Sequence, residues 1–203
     1  MWTNYFDDIV VFNLPSRTDR LLESMEQFEQ YNIPVRRHEA IVDESNGAEG
    51  LRKTLVKYFT ECVENKRQNV LVFEDDVLFK EDPNPIMDKV VNQIPIDYDC
   101  IFLGCQVTNS FVKAHSENLL LLRQAYSTHA VCYSLKAMKD ILAMGITAPI
   151  DNWLASNFQN RNNSYAIRPL LATQRAGYSS IGHAWIDWDK FITPKFNEHL
   201  RNI

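Results

Sequence analysis

The chain has 203 residues, of which 45% are hydrophobic, 11% aromatic and 23% charged, with a net charge of −5. That balance suits one domain of ordinary size with a sizeable core, excludes a disordered chain, and offers no general polyanion grip on nucleic acid. No apolar run approaches the roughly 20 residues needed to span a bilayer, and "MWTNYFDDIV" has neither the basic start nor the long apolar region of a signal peptide, so a soluble cytoplasmic protein is expected, peripheral at a membrane only if its partner is lipid-linked. Cys62, Cys100, Cys105 and Cys132 form no CxxC pair and sit among apolar neighbours, which reads as buried reduced thiols.

"DIVVFNL" (8–14) reads as a short buried strand. A helix follows in "TDRLLESMEQFEQY", with Leu21, Met25 and Phe28 at helical spacing and Thr18 as its expected N-cap. "VRRHEAI" (35–41) reads as a second strand, and Asn46-Gly47 as a turn or loop. From Glu49 to Lys66 the positions Leu51, Leu55, Phe59, Cys62 and Val63 form one helical stripe. "NVLVF" (69–73) is nearly all apolar, as a strand covered on both faces should be. Pro83 and Pro85 open a helix expected to run toward Ile94. "DCIFLG" (99–104) is a fourth strand, and "NLLLLRQAY" and "HAVCYS" are later strands, antiparallel or mixed. "LKAMKDILAMG" is a helix ended by Gly145, "PIDNWLASNF" another opened by Pro149, and "YAIRPLL" a last strand before a loop-rich tail. Strand–helix–strand order argues for an α/β class with a mostly parallel mixed sheet, in one domain spanning 1–203 without repeat or linker.

Three consecutive acids, Glu74, Asp75 and Asp76, stand where the third strand ends. Side by side they repel, and burying them is costly unless a cation compensates. In α/β sheets, ligands gather beyond the carboxyl ends of the strands. Side chains alternate along a strand, so Glu74 and Asp76 are expected on one side and Asp75 on the other. Two carboxylates so placed can hold Mn²⁺ or Mg²⁺, which would in turn hold substrate phosphates. A solvated acidic turn accounts for the three acids equally well. At the first strand–helix turn, Asn13, Arg17 and Arg20 suit phosphate, because helix N-termini and arginines both attract it.

The run "VVFNLPSRTDR" (10–20), the acidic "VLVFEDDVLF" (70–79), "YSTHAVCYSLKAMKDIL" followed by "PIDNWL", and "PLLATQRAGYSSI" occur in an order that resembles the family 25 glycosyltransferases, from about residue 8 to 181. The resemblance implies a GT-A type, Rossmann-like α/β/α sandwich, with a donor-binding part over about 8–105 and an acceptor and catalytic part over about 106–203. It implies a nucleotide-sugar donor, usually a UDP-hexose such as UDP-galactose or UDP-glucose, a divalent metal, and inversion at the sugar carbon. Under it, Asn13, Arg17 and Arg20 hold the nucleotide, Asp76 ligates the metal, Glu74 faces the ribose or sugar, and Asp75 contributes through water. Gln174, Ser179 and Ser180 match the closing motif and would line the donor site, and His183 would supply a late metal ligand. Asp151 would be the base that takes the acceptor proton, although an Asp in a first helical turn is also a good cap, and His129 is the other candidate. Trp153, Trp185 and Trp188 are candidates for stacking on a sugar. The family's Ser-His pair before the acidic strand is absent from "GLRKTLVKYF", which keeps open a catalytically degenerate nucleotide-sugar-binding module. A metal-dependent phosphoryl enzyme is a third class. The acceptor is a hydroxyl on a glycan, lipooligosaccharide or protein; the net charge weighs against a modified DNA base.

Overall fold

A computed structural model of the chain describes residues 2–107, 113–161, 163–179 and 184–200. A short α1 (Trp2–Tyr5) leads into β1 (Asp8–Asn13), α2 (Thr18–Gln30), β2 (Arg36–Glu39), α3 (Gly47–Glu64) and β3 (Asn69–Glu74). Then come β4 (Val77–Phe79), α4 (Asn84–Val90), β5 (Cys100–Phe102), β6 (Gln106–Val107), β7 (Lys113–Ala114), β8 (Leu119–Leu121), β9 (Ala125–Tyr126), β10 (Ala130–Ser134) and α5 (Leu135–Met144). α6 (Ile150–Trp153) continues through a wider π turn at Leu154–Phe158 and a tight turn at Gln159–Arg161. β11 (Ser164–Ile167), β12 (Ala172–Gln174), β13 (Gly177–Ser179), β14 (Ala184–Ile186) and α7 (Asp189–Leu200) complete the described chain.

Among the described residues, the central sheet has the order β2-β1-β3-β10-β5-β11-β8-β7. β1 runs parallel to β2 and β3, and β11 parallel to β5. β10 is antiparallel to both its neighbours, and β8 to both of its own, so the sheet is mixed and mostly parallel by strand direction. Strand side chains alternate between two apolar layers. Val10, Phe12, Val70, Val72 and Tyr133 pack with Leu55 and Phe59 of α3 and Met138 and Ile141 of α5. Ile9, Val11, Leu71, Phe73 and Cys132 pack with Phe28 of α2 and Met87 and Val90 of α4. Both faces are therefore covered, which is why these strands read as unbroken apolar runs. All four cysteines are buried and free.

Local chemistry sets several boundaries. Gly145 ends α5 with φ of 72°, a left-handed conformation that costs glycine nothing. At Gly104 an added Cβ would lie 1.7 Å from the Ala172 carbonyl, so only glycine lets β12 pass this close behind β5. Four expectations need correction. Arg17, not Thr18, is the N-cap of α2, and it makes no side-chain cap, because the turn from Leu14 closes at the Arg17 amide and brings the backbone into the helix one residue early. Asn46 is not merely a turn residue: its side chain accepts from the Ala48 amide and caps α3. α4 stops at Val90, short of Ile94, where the chain turns and the Gln93 amide donates back to the Val90 carbonyl. The tail is not only loop, because α7 occupies Asp189–Leu200 and buries Ile192 and Phe196.

Candidate functional site

After β1 the chain goes to β2 on one side and then returns to β3 on the other. The carboxyl ends of β1 and β3 lie at this switch point, with Phe12 opposite Glu74, and a crevice opens there as the topology requires. Asn13, the last residue of β1, is 1% exposed. Its amide donates to the Arg17 carbonyl and to Asp75 Oδ2, each at 2.8 Å, while Arg37 donates to its Oδ1 at 3.1 Å. Asn13 thus ties the β1–α2 turn to the acidic turn, and it does not reach the cleft itself.

The three acids all line one cleft of about 520 Å³. Alternation fails at Asp75 because β3 ends at Glu74 and the next two residues form a turn, so Asp75 does not point away. A cation does stand between the acids. Arg20, from the first turn of α2, donates through Nη1 to Asp75 Oδ1 at 3.0 Å and Asp76 Oδ2 at 3.2 Å, and through Nη2 to the Tyr178 carbonyl at 3.0 Å. Gln174 of β12 approaches Asp76 Oδ1 at 3.4 Å. Thr128 donates to Glu74 Oε1 at 2.8 Å, presented by a loop in which Ser127 holds φ of 75°.

One guanidinium does not offset the charge of three carboxylates. Burial pushes Glu74 up to about 8, the Asp76 charge adds to this, and the Thr128 hydrogen bond opposes it. Burial also raises Asp75 against the pull of Asn13 and Arg20, and raises Asp76 against the pull of Arg20 and Gln174. Each group keeps a narrow opening to the cleft, so a bound cation can reach them.

Arg17 lines the same cleft but pairs with Asp19, Nη2 to Oδ2 at 2.9 Å. That partner is largely exposed, so releasing Arg17 toward a phosphate costs little. Across the cleft, Asp151 in the first turn of α6 accepts from the Asn152 amide at 2.8 Å, and its charge is among those that raise Glu74. Gln174, Ser179 and Trp188 also line the walls. Ser180 and His183 lie outside the described residues. Among the described residues, no group of three or more His, Cys, Asp or Glu side chains is arranged to hold a metal ion by itself.

The other candidates fall elsewhere. Trp153 is core, stacked near Phe158 with ring centroids 6.3 Å apart. His129 is fully buried and lines no part of the cleft. Burial pushes its imidazole down to about 4; the Ala172 carbonyl pulls weakly the other way, without the geometry of a full hydrogen bond. A neutral ring sealed from solvent has no route to an acceptor hydroxyl, which removes His129 as the base. Sequence reading missed the wall formed by Asp43, Ser45, Asn46 and the first turn of α3. The Asn46 side chain followed by a helical stripe is its signal. It also missed Thr128, for which a single hydroxyl gives none.

No family model matches the chain, and no curated protein does. Solved structures resemble it. A197 from STIV superposes with a TM-score of 0.55 at 12% identity, over 84% of this chain and 86% of that one. A glycosyltransferase involved in the glycosylation of the major capsid of PBCV-1 gives a TM-score of 0.45 at 12% identity, over 76% of this chain and 72% of that one. At such identities the likeness to A197 is one of fold, and it extends over most of both chains.

Proposed function

We propose that the chain transfers a hexose from a nucleotide sugar, a UDP-hexose first, to a hydroxyl acceptor, with inversion at the sugar carbon. The observation that carries this reading is the meeting of Glu74, Asp75, Asp76, Arg17, Arg20, Asp151 and the N-terminus of α3 around one cleft at the switch point. These groups come from segments far apart in sequence, and the order of motifs along the chain supports the same reading.

Mn²⁺ or Mg²⁺ fits the donor set. Asp75 and Asp76 are hard oxygen donors at the cleft wall whose burial disfavours their charge even with Arg20 beside them, so a bound cation would favour the ionised carboxylates. An ion of this kind takes one or two carboxylates and fills its other positions with water and substrate phosphates. Asp76 would hold it, with Asp75 beside it. When bound, it neutralises charge on the diphosphate leaving group. The chain's own residues do the rest. Arg17 turns from Asp19 to the diphosphate, the α3 N-terminus presents its partial positive charge to the donor, and Glu74 accepts from a sugar or ribose hydroxyl. Asp151 takes the acceptor's proton as the new bond forms.

The test is a thermal shift with UDP-glucose and UDP-galactose, with Mn²⁺ or with EDTA. A ligand that binds only the folded state raises the melting temperature by mass action. The wild type is expected to respond to donor with Mn²⁺, and Asp76→Asn not to respond. An equal response in Asp76→Asn would remove Asp76 from the metal site. A second reading rests on Arg20, which already bridges both acids: the guanidinium itself carries the compensating charge, and donor binding then survives EDTA. Donor binding without transfer to any acceptor would leave the catalytically degenerate binding module.

A further inference from the structure

Every carboxylate oxygen of Asp75 and Asp76 already faces an N–H donor. Asp75 Oδ2 takes the Asn13 amide at 2.8 Å, and Asp76 Oδ1 faces the Gln174 amide at 3.4 Å. The remaining oxygens, Asp75 Oδ1 and Asp76 Oδ2, share a single nitrogen, Arg20 Nη1, at 3.0 and 3.2 Å. A small divalent ion that ligates both carboxylates must come within about 2.0–2.1 Å of an oxygen on each. The gap between the two carboxylates is where it would sit, and Nη1 stands in that gap. The three side chains are 11–14% exposed, so the guanidinium has little open space in which to step aside. If it stayed, an ammonium-like charge and a divalent ion would repel one another across a few ångströms of poorly solvated space.

The other end of the same guanidinium holds a different part of the cleft. Arg20 Nη2 donates to the Tyr178 carbonyl of β13 at 3.0 Å. A guanidinium is a rigid plane with its donors in a fixed fork, so moving Nη1 out of the gap turns the Nη2 N–H bonds away from that carbonyl. The chain just before β13 is fastened independently of Arg20. The Arg175 amide donates to the Asp76 carbonyl at 2.7 Å, and the Arg175 side chain pairs with Glu23 of α2 at 2.6 Å. Beyond it, β13 pairs with β14 in a two-stranded ribbon that joins no larger sheet among the described residues. Ser179, next to Tyr178 on β13, lines the cleft.

We propose that Arg20 is a clasp that a divalent cation opens. An ion bridging Asp75 and Asp76 displaces Nη1, the Tyr178 carbonyl loses its donor, and the β13–β14 ribbon shifts while Arg175 and β12 stay in place. The clasp rests on the reading of Asp75 and Asp76 as ion ligands. It adds that the ion sets the shape of the cleft as well as its charge, because it moves the wall that carries Ser179. The coupling is reciprocal: whatever loosens β13 from Arg20 must raise the affinity for the ion by the same factor.

The experiment uses the full chain without donor, and Mg²⁺ as the probe. Leu22 on α2 and Trp185 on β14 are 66% and 74% exposed, and all four native cysteines are buried, so nitroxide labels can be placed selectively on Leu22→Cys and Trp185→Cys. The label-to-label distance is read by pulsed EPR in EDTA and in saturating Mg²⁺, and Mg²⁺ affinity by calorimetry. With Arg20 intact, one distance is expected in EDTA and a second, shifted population in Mg²⁺. In Arg20→Lys, whose single ammonium cannot span both acids and the carbonyl, and in Arg20→Gln, the shifted population is expected already in EDTA. Mg²⁺ affinity should tighten roughly tenfold or more in Arg20→Gln. Should that variant fail to fold, the comparison with Arg20 intact and Arg20→Lys still decide. Mg²⁺ binding that depends on Asp76 but leaves the distance unmoved overturns the clasp and leaves the ion site and the transferase reading standing. So does an unshifted distance in folded Arg20→Lys and Arg20→Gln. Mg²⁺ binding that is absent with and without Arg20, or is indifferent to Asp76→Asn, removes the ion site and the clasp with it.

Discussion

Arg20 holds the acidic turn in one shape. Its guanidinium and the two carboxylates it bridges are each 11–14% exposed, so the pair is largely out of water. Removing one partner of such a pair leaves buried charge uncompensated. Arg20→Gln should therefore lower stability by about 3 kcal/mol, read from urea unfolding. Adding Asp75→Asn should restore part of the loss, because it removes the charge that was left alone; a double-mutant cycle isolates this coupling. Asp151 makes a different demand. A base acts on the acceptor in the transition state, so under the role proposed for it Asp151→Asn should lower turnover by about 10²–10⁴-fold while donor affinity stays nearly unchanged. Full turnover in a folded variant would place the base elsewhere. At this scale the acids were legible as a charged run at a strand end and Arg20 as an arginine at the strand–helix turn, while Asp151, in a first helical turn where Asp is an ordinary cap, stood out only through the resemblance. The role of Asn13 was not, since a buried amide that bonds Arg17, Asp75 and Arg37 looks in sequence like any strand-end polar residue.

The N-terminus of α3 lines the cleft, and Asn46 is what fixes it there. Asn46→Ala should cost about 1 kcal/mol, the usual size of a lost N-cap, and should also weaken donor binding by letting the first turn fray. A stability loss with unchanged donor affinity would separate the cap from the site. β1 and β3 were legible because burial on both faces writes them as plain apolar runs, and α2, α3 and α5 because one face alone is apolar. The limits of elements were less legible. The β3 terminus is set by a turn that the period-two pattern cannot foresee, and it is this turn that brings Asp75 round to join its neighbours. α7 was hidden because Pro194 lies inside it and because aromatics alternate with acids at its start.

Across the whole molecule, four cysteines are shared between the two apolar layers and no pair is bonded. Burial pushes the thiols of Cys62, Cys100, Cys105 and Cys132 up, which suppresses the reactive thiolate. The native protein should react slowly with a water-soluble disulfide reagent, and four equivalents should appear once it is unfolded; rapid labelling of a native thiol would contradict the packing. The sheet order has one more effect, on the chain as it is made. The acid-bearing β3 takes its central neighbour from β10, which ends at Ser134, not from any strand that follows directly. Until that segment leaves the ribosome, an interval on the order of several seconds, β3 has an open hydrogen-bonding edge. The candidate cleft, one wall of which the β9–β10 connection supplies through Ser127 and Thr128, is therefore completed only after that wait.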